Sequence, residues 1–173
     1  MSERHPRRAG EEADMTVGDL MTTGKLVTAP PETPILEARS RMLERRIRHL
    51  LVTDPDGSLM GIVTDRDIRL NLPSRATSLS IWEINHLLTK LTVGEVMTRG
   101  VITVGPERAA HEAAQLMLDH SIGALPVTRG GRLVGIITET DIMRAFVWLA
   151  GGAAAPGATR RPGTAASPPG QLP

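Results

Sequence analysis

The sequence predicts an α/β fold of two βαββα-type repeats related by a pseudo-two-fold axis, and three observations predict it. The first is internal duplication: residues 16–69 align with residues 92–143, leaving Lys25 and Pro55 unmatched, with 24 identities in 52 paired positions. The second is a change of period inside each copy, from a helical apolar stripe to two short apolar runs joined by a glycine-containing turn. The third is number: two copies of a unit of roughly 50 residues are too few for a stacked solenoid, which needs at least ~3. Two equivalent units that face one another make two equivalent clefts.

Each element follows in order. Residues 1–14 mix Arg4, Arg7 and Arg8 with Glu11, Glu12 and Asp14, show no apolar periodicity and read as a disordered arm. Copy one spans 15–69 and opens on a strand or extended lead-in, Thr16-Val-Gly-Asp-Leu-Met-Thr22. Ile35, Ala38, Met42, Leu43 and Ile47 then fall at helical spacing. The run His49–Thr53, the turn Asp54-Pro-Asp-Gly57 and the run Leu59–Val63 form a β-hairpin, because Asp-Gly supplies the positive φ of a tight turn. Thr64 starts a further helix, which Pro73 interrupts. A connector, 70–91, carries an amphipathic helix with Ile81, Ile84, Leu87, Leu88 and Leu91 on one face and Thr77 or Ser78 as its cap. Copy two, 92–150, repeats the plan: stripe Ala110, Ala113, Met117, Leu118 and Ile122, hairpin Ala124–Ile137 turning at Gly130-Gly131, and a helix from Thr138. Residues 151–173, rich in Gly, Ala and Pro, read as a second disordered segment.

Composition narrows the function classes. The formal charge of +1 gives no global field to recruit nucleic acid or an anionic membrane, although Arg39, Arg41, Arg45, Arg46 and Arg48 are bunched. Phe146, Trp82 and Trp148 are the only aromatics, which argues against a stacking platform for single-stranded nucleic acid. With no cysteine, disulfides and thiolate chemistry are excluded. No apolar run reaches membrane-spanning length and the N-terminus lacks a secretion signal's apolar core, so a cytoplasmic protein is expected. The five histidines form no ligand-spaced group, His111-Glu-Ala-Ala-Gln115 lacks the second histidine of a zinc helix, and no nucleophile elbow or Walker loop is present. No metal and no catalysis are expected.

Both copies place a hydroxyl and, three residues on, a carboxylate at a strand-to-helix junction: Thr64 and Asp67 in Gly61-Ile-Val-Thr-Asp-Arg-Asp67, Thr138 and Asp141 in Gly135-Ile-Ile-Thr-Glu-Thr-Asp141. Two chemistries fit. One is a capping box, in which the threonine and the acid satisfy each other's backbone N–H groups. The other is a nucleotide site, with free helix-start N–H groups and a hydroxyl for phosphate and a carboxylate accepting from the two hydroxyls of a ribose.

The lead-in Thr-Val-x-x-[Leu/Val]-Met-Thr, the run Ala124-Leu-Pro-Val127 and the Gly-h-h-Thr-x-x-Asp signature together resemble a tandem pair of CBS domains, the Bateman module, over about residues 15–148. The connector Leu70–Ser78 is similar to that of small stand-alone bacterial CBS proteins of the acetoin-utilisation regulator type. The resemblance implies a regulatory, non-catalytic protein that binds adenosyl ligands such as AMP, ATP or S-adenosylmethionine, forms a disc-like homodimer and acts on a downstream protein. It implies one cleft with Asp67 on ribose and Thr64 on phosphate, and with Thr92, Ile122 and Gly123 around the base. A second cleft would pair Asp141 and Thr138 with Thr16, Ile47 and Arg48. A ligand-free structural module, or a regulatory piece of a larger enzyme or transporter, are the alternatives.

The copies differ at one telling place: Arg48-His49 corresponds to Gly123-Ala124. A guanidinium meets phosphate through charge-assisted bonds, so the Asp67 cleft is expected to be the more cationic and to favour phosphorylated ligands. Leu51 stands where copy two has Pro126, which restores a backbone N–H and is expected to alter the strand's path.

Overall fold

The computed structural model describes residues 15–24, 26–72 and 80–151, without the side chains of Ile81 and residues 84–87. The arm at 1–14, the tail beyond Gly151, Pro73 and the two expected caps Thr77 and Ser78 lie outside these residues. The lead-in of each copy is helical at its start rather than extended throughout. One turn, α1 (Val17–Leu20), forms in copy one, and its equivalent, α5 (Val93–Val96), in copy two. The cause is a capping box at each: the Thr16 N–H and hydroxyl donate to Asp19 Oδ2 at 2.8 and 2.7 Å, and those of Thr92 donate to Glu95 Oε2 at 2.8 and 3.0 Å.

In copy one, β1 (Thr28–Ala29) precedes α2 (Ile35–Arg45), the hairpin β2 (His49–Thr53) and β3 (Leu59–Thr64), and α3 (Asp65–Leu70). The sheet runs β1-β2-β3, with β1 parallel to β2. After the connector helix α4 (Ile81–Lys90), copy two gives α6 (Ala110–His120), the hairpin β4 (Ala124–Arg129) and β5 (Arg132–Thr138), and α7 (Glu139–Leu149). Both hairpins turn through positive-φ glycines, Gly57 (82°) in one, Gly130 (56°) and Gly131 (79°) in the other. The cap of α4 is Ser80, two residues past Ser78: its N–H and hydroxyl donate to Glu83 Oε2 at 2.8 and 2.6 Å.

Leu51 leaves the path of its strand unchanged. Both hairpins share one register and carry their irregularity at equivalent places, after Val52 and after Val127. The difference falls on the neighbouring strand. Leu51 pairs with Thr28 in a two-residue parallel ladder, whereas in copy two only an isolated bridge, Val104 to Val127, survives. Pro126 has no N–H to extend that ladder.

The cores show how the copies are joined. Val17, Leu20, Val104, Ala110, Ala113, Met117, Leu125, Val127, Ile137 and Ala145 form one buried cluster, so the lead-in of copy one packs into the body of copy two. Val93 and Met97 of copy two pack reciprocally with Ile35, Ala38, Met42, Leu50, Val52, Val63 and Ile68 of copy one. Backbone bonds fix the exchange. The Val17 N–H donates to Arg108 O at 2.8 Å, and the Val93 N–H to Thr33 O at 2.9 Å. The bodies therefore each contain one borrowed lead-in. A third cluster, Leu51, Ile62 and Ala124 with Leu59, Val101, Leu133 and Ile136, lies between the two sheets.

Candidate functional site: the paired strand-to-helix junctions

The motif glycines are demanded by the exchange. A Cβ on Gly61 would lie 2.7 Å from Thr98 O and 2.6 Å from Met97 Sδ, and one on Gly135 would lie 2.6 Å from Met21 Sδ and 3.1 Å from Thr22 O. Each lead-in thus crosses directly over the strand that delivers the Thr-x-x-Asp turn. Downstream, the helix starts are tied to the strand starts: the Asp65 N–H donates to Arg48 O at 3.1 Å and the Glu139 N–H to Gly123 O at 3.0 Å. His49 is the ladder partner of Thr64, and Ala124 that of Thr138. The two junctions meet. A Cβ on Gly123 would lie 3.2 Å from Glu139 Oε2 and 3.4 Å from His49 Nε2.

At each junction the threonine and the acid hold one another. The Thr64 N–H and hydroxyl donate to Asp67 Oδ2 at 2.8 and 2.7 Å, and the Asp67 N–H donates back to Thr64 Oγ1 at 3.1 Å. Thr138 donates to Asp141 Oδ2 in the same way, at 2.9 and 2.7 Å. The capping box is therefore complete, and this corrects the expectation of free helix-start N–H groups: those of Thr64, Asp65 and Asp67 are already satisfied. Asp67 Oδ1 is different. Among the described residues it has no hydrogen-bond partner, and Asp67 is half-buried.

The remaining expected residues fall into two groups. Ile122 and Gly123 lead into β4, opposite the half that holds Asp67, and Ile47 and Arg48 lead into β2, opposite the half that holds Asp141. Ile47 and Ile122 are half-buried on the cores of their own copies. Thr92 is a bridge partner of Pro34 and Thr16 of Ala109, so the exchange carries Thr92 to the Asp67 half and Thr16 to the Asp141 half. Both threonine hydroxyls are spent on their own caps. Two residues went unread in the sequence. Glu139 stands beside His49, and Arg144 Nη1 lies 3.5 Å from Asp141 Oδ1; the difference between Leu70 and Arg144 is visible three residues past each motif aspartate.

Burial and the neighbouring Arg48 hold the His49 imidazole below its usual 6.5, against the weaker opposing pull of Glu139 and Asp67. His49 is thus neutral at pH 7, and fixed positive charge beside the first junction comes from the exposed Arg48 and Arg66. Because the folded value is depressed, the unfolded chain binds the proton more readily, and stability falls as pH drops through about 6.5. Histidine NMR titration is expected to place the His49 midpoint below 6.5. A midpoint at or above 6.5 would contradict the burial argument.

The CBS domain family model matches residues 17–74 and 93–147. The CBS domain pair of protein MJ0100, solved in complex with 5′-methylthioadenosine and S-adenosyl-L-methionine, is similar at TM-score 0.64 and 31% identity, over 78% of this chain and 98% of that one. CBSX2 of Arabidopsis thaliana, solved in complex with AMP, is similar at TM-score 0.65 and 30% identity, over 79% and 98%. Homoserine O-acetyltransferase of Methanococcoides burtonii is 37% identical over 130 residues, 75% of this chain, but the chain spans only 24% of that protein's length. The chain belongs to the CBS domain family, as a tandem pair whose two copies exchange their lead-ins.

Proposed function

We propose that this CBS pair is a non-catalytic regulatory module that binds an adenine nucleotide or adenosyl compound where its halves meet and passes occupancy to a partner protein. The observation that carries the reading is the duplicated junction: a carboxylate preset by its own threonine, with Asp67 Oδ1 open to donors such as a ribose diol. The AMP bound by CBSX2 and the adenosyl ligands bound by the MJ0100 pair support that ligand class. AMP or ATP is favoured over S-adenosylmethionine because Arg48 adds positive charge beside the first junction. The repeats act as one unit, 15–69 with 92–150, in the cytoplasm; among the described residues no helix is long and apolar enough to cross a membrane. A homodimer accounts for the exposed apolar side chains Met143, Phe146 and Val147 on α7, with Leu43, Leu70 and Leu118 on other helices.

A relay requires two arrangements of the halves and a ligand with different affinity for each. The test is a thermal-shift and calorimetric panel of AMP, ADP, ATP, S-adenosylmethionine and NAD. A ligand at 100 times its Kd stabilises by about 2.7 kcal/mol. Hydrogen bonds to a charged acceptor contribute about 1.5–3 kcal/mol, so Asp67→Ala and Asp141→Ala are each expected to weaken their own cleft by roughly 10- to 150-fold. Absence of a shift with every ligand would favour the structural alternative, in which Thr64 and Asp67 only cap a helix.

A further inference from the structure

The two carboxylates offered to ligand are not in the same state. Asp67 Oδ1 is unpartnered among the described residues, whereas Asp141 Oδ1 faces Arg144 Nη1 at 3.5 Å. The Asp141 side chain is only 10% exposed, while that of Arg144 is 49% exposed. The equivalent of Arg144 in copy one is Leu70, which is 72% exposed and carries no charge. Both carboxylates accept from their own threonine through Oδ2 at nearly equal distances. At Oδ1 the arginine is the difference.

We propose that Arg144 is a specificity-determining residue that competes with a ribose diol for Asp141 Oδ1, so that the Asp67 cleft fills first and the Asp141 cleft second. This inference rests on the ribose reading of the site given above. Arg144 stands against one acceptor direction of Asp141 Oδ1, and a diol hydrogen that enters along it displaces the guanidinium outward, where half of its surface already meets solvent. Asp67 imposes no such step. An ion pair with one exposed partner contributes little in itself, so the effect is an ordering of two sites rather than the closing of one.

The experiment uses adenosine as probe, because it offers the diol without a phosphate for Arg144 to attract. In the full chain, Asp141→Ala isolates the first cleft and Asp67→Ala the second, and each is titrated by calorimetry. Adenosine is expected to bind the first cleft more tightly. Adding Arg144→Leu, with Arg144→Gln as a second variant should the first fail to fold, is expected to tighten the second cleft by roughly two- to fivefold. The mirror change, Leu70→Arg on the Asp141→Ala chain, is expected to weaken the first cleft by a similar factor. Unchanged or weaker adenosine binding on removal of Arg144 overturns the proposal. So does a loss confined to AMP, which would make Arg144 a phosphate ligand. If neither adenosine nor AMP binds wild-type protein, the ribose reading itself fails, and this inference with it.

Discussion

A chain shortened to begin at Leu26 is expected to lose the second half, although no residue of the second copy has been removed. The truncation takes away Val17 and Leu20, 0% and 4% exposed in the cluster with Val104, Met117, Leu125 and Ile137. Burial of such side chains contributes about 1.5–3 kcal/mol each, so the loss is roughly 3–6 kcal/mol, a large share of the ~5–15 kcal/mol of a typical domain. Five backbone bonds among the described residues go as well: Val17 N–H to Arg108 O, Gly18 N–H to Pro106 O, Thr22 N–H to Ile136 O and Ala110 N–H to Met15 O, each 2.8 Å, and Ile136 N–H to Thr22 O at 3.2 Å. Hydrogen exchange should show protection collapsing in α6, β4 and β5 while β2 and β3 keep theirs. Uniform loss across both hairpins, or none, would contradict the exchanged packing. Leu20→Ala in the full chain is the milder version, expected to cost about 2–5 kcal/mol.

Gly61→Ala is the second large effect. The new methyl would stand 2.7 Å from a backbone carbonyl, Thr98 O, which cannot turn away as a side chain can. Overpacking of this kind costs about 1–3 kcal/mol. Moving Thr98 aside also disturbs the reciprocal pair it makes with Ile62, at 3.1 and 2.9 Å, at about 1 kcal/mol per bond lost. Gly135→Ala is expected to be milder. Its closest obstacle is the flexible Met21 Sδ, and the nearest carbonyl, Thr22 O, stands at 3.1 Å. Denaturant melts of the two variants compare them directly, and equal destabilisation would mean that Met97 and Met21, rather than the carbonyls, set the cost. Because Gly61 sits three residues before Thr64, the ligand response of Gly61→Ala should fall together with its stability.

Much of this was legible in the chain because it was written twice. Of the predicted stripes, Ile35, Ala38, Met42 and Ala110, Ala113, Met117 are the buried faces of α2 and α6, whereas Leu43 and Leu118 fall outside them and are exposed. The positive φ of Gly57 and of Gly130-Gly131 follows from the turn residues themselves. Thr64 and Asp67, and Thr138 and Asp141, do meet at their junctions. What escaped was of two kinds. The Thr-x-x-acid signal was read at Thr64 and Thr138 but applies equally to Thr16, Ser80 and Thr92, where it makes a turn of helix or a cap. The exchange of lead-ins was invisible, since Val17 and Val93 are identical and either would complete either core. Local pattern says that a valine is buried; only the path of the chain says against what.

That path also decides where the molecule can be held. Met15 accepts from the Ala110 N–H at 2.8 Å, and α1 packs against α6 and α7, so the described chain enters and leaves on the same half. Anything tethered at residue 15 or beyond Leu149 shares one anchor, and the half built on β2, β3 and α3 is left as the untethered lever. A pair of probes at the two ends would therefore be blind to any rocking between the halves. One probe must ride on the first half, for instance at the exposed Leu43, before ligand-driven movement can be seen at all.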